Sequence, residues 1–156
     1  MDYVTKHWQK LVDNGVGNKQ NAEQARMLNA ILLIAIILCM LLGINAFVSG
    51  RIPNAYIQLG RVTGVLLAYY VSSLGKHKAG FVLFLVMLVA SNVAFLIFQP
   101  YNVGNSYSFL AFLLLVYYFL DDNRERVIYF ILLSIIGTAY YVYEQNYMLP
   151  APSVIY

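Results

Sequence analysis

Charge is scarce in this chain. Only 11% of its 156 residues are Asp, Glu, Lys or Arg, less than half the roughly 25% of an ordinary soluble domain. With 61% hydrophobic residues, too little polar surface remains to cover a water-soluble fold. Intrinsic disorder is excluded by the same numbers, since it needs low hydrophobicity and high net charge. Cysteine is nearly absent. The single Cys39 can form neither an internal disulfide nor a thiolate metal site, and its place inside an apolar run reads as packing. His7 and His77 both stand in hydrophilic segments, so haem ligation within a bilayer has no residues to rest on. Lys and Arg are scattered over several loops and make no basic stripe, which argues against nucleic acid as a partner. A glycine-rich phosphate loop, an HExxH zinc motif and a Ser-His-Asp or Cys-His set are all missing. No enzyme chemistry and no cofactor is expected.

Long apolar runs are what the chain does have. A membrane-crossing helix needs about 20 apolar residues, and five segments qualify, at about 28–48, 55–74, 79–98, 103–120 and 127–143. Their apolar runs are continuous and do not alternate as barrel strands do, so helices are expected. The breaks between them carry Gly50 and Pro53, a basic turn at Gly75–Lys78, Pro100, and the charged run Asp121–Arg126. The expected fold is therefore an all-α polytopic membrane protein. Residues 1–27 form a cytoplasmic amphipathic segment, residues 28–156 a helical membrane domain, and 144–156 an outer tail.

Positive charge orients it. With the N-terminus inside, Lys6, Lys10, Lys19, Arg26, Lys76, Lys78, Arg124 and Arg126 fall on the cytoplasmic side and only Arg51 outside, with Arg61 embedded. That bias predicts an inner or plasma membrane protein with a cytoplasmic N-terminus and an outer C-terminal end. The closing Ser153–Tyr156 reads either as the first turn of a sixth helix in a longer protein or as the end of a five-helix one.

Arg61 is the polar residue that asks most of a bilayer. The apolar stretch Val62–Leu74 covers roughly 20 Å at about 1.5 Å per residue, so Arg61 falls roughly 10 Å inside a core of about 30 Å. Three readings are open: snorkelling to the outer headgroups, pairing with a carboxylate, or binding an anionic ligand. Glu144 is the acidic candidate on that side. Asn45 and Gln58 share its depth, Asn92 sits mid-helix, and Tyr56 is a possible wall, so these six residues are the candidate ligand site. Asn45, Gln58 and Asn92 also suit interhelical hydrogen bonds. The Asp121–Asp122–Asn123–Arg124–Glu125 run could hold Mg²⁺ and a diphosphate, but it has no partner motif. A solvated loop that caps the fifth span is the simpler expectation.

At the N-terminus, Val4, Trp8, Leu11 and Val12 with Lys6 and Lys10 between them describe an amphipathic helix suited to a membrane surface. Asp13–Asn14–Gly15 ends it. Residues 21–29 then run into the first span without a helix breaker. This start, the Glu-x-x-Arg-x-x-Asn spacing of Glu23, Arg26 and Asn29, the short loops and the Asp/Asn/Arg-rich inner loop resemble a known type of membrane region. It is the six-helix region that precedes cytoplasmic output domains in bacterial signalling proteins, such as membrane histidine kinases and class III nucleotide cyclases. The resemblance covers the whole chain, without the sixth helix or the output domain. It implies a sensor or receptor region that relays a ligand or membrane signal, with the lipid bilayer, an unknown small ligand and a second copy of the chain as partners. A small stand-alone transporter or a structural subunit is the alternative. No acid stands at mid-depth in any span, which counts against a transport path.

Overall fold

The computed structural model describes residues 2–16, 22–98 and 108–143. Six helices account for nearly all of them: α1 Asp2–Val12, α2 Ala22–Val48, α3 Ile52–Ser73, α4 His77–Phe98, α5 Ser108–Phe119 and α6 Asn123–Tyr143. There is no strand among the described residues. The chain divides into two compact units, Met1–Ser91 and Asn92–Tyr156.

The first unit is built on the antiparallel pair α2 and α3. Helix α2 has 27 residues, about 40 Å at 1.5 Å each. One stripe of it is buried: Ala25, Leu28, Asn29, Leu32, Ile36 and Ala46. Most of the remainder beyond Asn29 is apolar, with Ile34, Ile37, Leu38, Leu41, Leu42, Ile44 and Phe47 all exposed. Hydrophobicity on every side of a helix is stable only in an apolar surrounding. Three described helical stretches are long and apolar enough to cross a membrane: Ala22–Val48, His77–Phe95 and Asn123–Tyr143. They suggest a membrane location.

Helix α3 is 22 residues long, but Asn54, Gln58, Arg61, Thr63 and Ser72 lower its apolar character. It starts at Ile52, earlier than the expected 55, because Pro53 is tolerated in a first turn where its missing N–H has no helical partner. Asn54 thereby joins the helix. Gly75, at φ +78°, reverses the chain into α4. The α3–α4 contact is close because Gly80 meets the Ala68 backbone and Gly64 meets Met87.

The second unit contains α5, α6 and the last turns of α4. Phe109 packs edge-on against Phe112 at 5.4 Å between ring centroids and lies 5.6 Å from Tyr140. Gly137 leaves room for the Phe109 ring. The expected capping of the last span is carried by Asp122, whose Oδ1 accepts the Arg124 N–H at 2.8 Å. Arg126 ties the two helices at that end. Its Nε donates to the Leu120 carbonyl, and its guanidinium lies 5.1 Å from the Tyr117 ring centroid. Helix α5 has twelve residues, about 18 Å at 1.5 Å each. The expected fourth span is longer, and its beginning at 103–107 lies outside the described residues.

Candidate functional site

Two groups of polar side chains stand out in the first unit, one at each end of the α2–α3 pair. The first lies on α3. Asn54, Gln58 and Arg61 follow one another at i, i+4 and i+7, the spacing of a single helix face. Asn54 is 8% exposed and Gln58 6%. The Oδ1 of Asn54 and the Oε1 of Gln58 are buried without a hydrogen-bond donor. Each such group costs about 1–3 kcal/mol of stability. Gln58 lies against Gly43 of α2, whose missing side chain makes the approach possible. Arg61 is half-buried, and its Nε is shielded from solvent.

Of the six residues that the sequence singles out, the structure brings Gln58 and Arg61 onto this face. Tyr56 is 69% exposed and lines an apolar groove of about 500 Å³ between α2 and α3, with Cys39, Gly43, Phe47, Ile52 and Leu59. At about 100° per residue, positions 52, 56 and 59 lie on the side of α3 opposite 54 and 61. Asn45 is exposed on α2. Asn92 is buried and belongs to the second unit. Glu144 lies outside the described residues. Asn54 was missed because Pro53–Asn54 reads as a turn; its spacing from Gln58 is the signal that could have found it.

The second group is a clasp at the opposite end. The helix α1 ends with carbonyls that have no helical donor. Asn29 of α2 supplies two, its Nδ2 donating to the carbonyls of Val12 and Asn14 at 2.9 Å each. Tyr69 Oη of α3 donates to the Leu11 carbonyl at 2.8 Å. Ser72 Oγ donates to Asn29 Oδ1 at 2.6 Å and lies 2.8 Å from His77 Nδ1. Ser72 has a single hydroxyl hydrogen, and Asn29 Oδ1 can only accept it. The hydrogen between Ser72 and His77 therefore belongs to Nδ1 of the imidazole. The bonds run in one direction, from His77 through Ser72 and Asn29 to the end of α1. Asn29 and Ser72 are fully buried. Arg26 closes the outside of the clasp with an ion pair to Asp13 at 2.7 Å.

The backbone is shaped to fit. Gly15, at φ +74°, turns directly against Ser73, and a Cβ there would overlap the Ser73 carbonyl. Two residues of the Glu-x-x-Arg-x-x-Asn spacing, Arg26 and Asn29, thus hold α1 to the bundle. Among the described residues, no cluster of His, Cys, Asp and Glu could hold a metal ion.

No protein-family model, curated protein or solved structure matches this chain.

Proposed function

We propose that this chain is the membrane-spanning sensor region of a signal-transduction protein, with five spans, an inner N-terminus, and the Asn54–Gln58–Arg61 face as its ligand site. One observation supports the reading above others. Asn54 and Gln58 keep buried carbonyl oxygens without donors within the α2–α3 pair. A subunit selected only for packing would do better with Leu at either place, because an unsatisfied buried acceptor opposes folding. An ionisable residue within a span, here Arg61, is a functional-site candidate by default, and the two acceptors share its helix face. Two acceptors beside a guanidinium suit a small anion that also carries an O–H or N–H donor. The clasp supplies the other half of a relay, since any shift of α2 against α3 moves the groups that hold α1.

The experiment is a thermal-shift screen of the purified protein in detergent against small hydroxy acids, amino acids and inorganic anions. The sensor reading expects a compound class that raises the melting temperature of the wild type and not of Gln58→Leu or Arg61→Ala. If every compound treats the three proteins alike, the polar face is structural. The close α3–α4 contact at Gly64 and Gly80 then favours a stand-alone structural subunit.

A further inference from the structure

Around the clasp, lysines from two distant parts of the sequence come together. Hydrogen bonds and close backbone packing join residues 11–15 to residues 69–77. Lys6 and Lys10 of α1 therefore share one end of the unit with Lys76 of the α3–α4 turn and Lys78 in the first turn of α4, and all four are exposed. The acids nearby in sequence are Asp2, Asp13 and Glu23, and Asp13 is held by Arg26. The balance at this end is positive.

The level of the clasp is fixed by three helices independently. On α2, Asn29 is the last polar residue before the apolar run from Ala30. On α3, Ser72 and Ser73 follow the apolar run that ends at Val71. On α4, His77 and Lys78 precede the run from Ala79. In a bilayer, a boundary of this kind coincides with the headgroup layer. The last turn of α1 is pinned there. Val4, Trp8 and Leu11 form one face of α1 at helical spacing, and Lys6 and Lys10 lie on the opposite side. Val4 is 75% and Leu11 44% exposed and Trp8 between them is half-buried, so the outer part of this apolar face is left uncovered by the rest of the unit.

We infer that α1 and the α3–α4 turn form a composite docking surface for anionic phospholipid headgroups, with the Val4–Trp8–Leu11 face inserted beneath them. Charge complementarity selects this occupant: a basic apolar helix at the headgroup layer meets phosphates before anything else. The inference rests on the chain crossing a bilayer. It does not depend on which side α1 occupies or on the proposed ligand site.

Trp8 is the single tryptophan of the chain and reports directly. The full protein would be reconstituted into vesicles of phosphatidylcholine, with and without phosphatidylglycerol in both leaflets. Phosphatidylglycerol is expected to shift Trp8 emission to shorter wavelength, to shield it from acrylamide, and to expose it to quenching by bromine-labelled acyl chains. Each basic residue contributes about fivefold to partition onto an anionic surface. The pair Lys6→Glu with Lys10→Glu is therefore expected to lose the response, and the pair Lys76→Glu with Lys78→Glu to weaken it severalfold. High salt should weaken it in the wild type. All four lysines are exposed, and circular dichroism checks that the variants keep their helices. The inference is overturned if Trp8 behaves alike with and without phosphatidylglycerol. It is also overturned if only the α1 pair matters, because the surface would then not be composite.

Discussion

Asn29 does with one side chain what a helix C-terminus usually obtains from a glycine or from water. Its amide hydrogens go to the last residue of α1 and to the turn that follows it, and its oxygen receives the Ser72 hydroxyl. His77 has to donate from Nδ1 for this arrangement to close. Asparagine presents an amide nitrogen close to the place of Nδ1, and glutamine close to that of Nε2. His77→Asn is therefore expected to keep the clasp, and His77→Gln to loosen it at a cost of about 1–3 kcal/mol. Hydrogen exchange at residues 11–16 would separate the two. Protected amides in His77→Gln would mean that the imidazole is a bystander. On the opposite end, Gln58→Leu removes a buried acceptor that has no donor. It is expected to raise the melting temperature by about 2–4 °C. A lower melting temperature would show that Gln58 contributes to folding, contrary to its proposed place in a ligand site.

Between helices, what decides a substitution is whether the neighbour can move. A Cβ on Gly64 would meet Met87 from its Cγ to its terminal methyl, so that whole unbranched side chain would have to turn aside. A Cβ on Gly80 would come within 2.8 Å of the Ala68 carbonyl oxygen and 3.1 Å of Ser72 Cβ. Replacing Gly by Ala within a helix is otherwise worth about 1 kcal/mol in favour of Ala. Gly64→Ala is therefore expected to cost less than Gly80→Ala, since the atoms in its way belong to a side chain and not to backbone. Gly80→Ala is expected to destabilise the protein, and to disturb Ser72 and hence the clasp. Unfolding of both variants in detergent checks the order, and an equal effect would contradict it. The helices themselves were legible in the sequence because hydropathy is a local property. The structure gives α2, α3, α4 and α6 within a few residues of the segments expected around 28–48, 55–74, 79–98 and 127–143. The unbroken run from residue 21 into the first span appears as the single helix α2. Partnership was not legible. Asn29 and Ser72 are 43 positions apart, and nothing within either neighbourhood of the chain tells of the other. Asn54 failed to register for a smaller reason: a proline beside it reads as a turn until the helix start is known.

For the whole molecule, the distribution of Lys and Arg predicts that α1, the α3–α4 turn and the start of α6 lie on the cytoplasmic side. Alkaline phosphatase fused after Gly50 is expected to be active, and fused after Lys76 or Asn123 to be inactive. The opposite pattern would invert the orientation and move the Asn54–Gln58–Arg61 face to the inner half of the membrane. The clasp also has a consequence for the order in which the chain is assembled. The groups that receive α1 stand at Asn29, Tyr69, Ser72 and His77. During synthesis the chain grows from its N-terminus, and α1 emerges with none of them yet made. Its dock is complete only when α2 and α3 have paired and the turn into α4 has left the ribosome. The first helix to be synthesised thus waits for the two that follow it, and until then its apolar face has only the membrane surface to rest on.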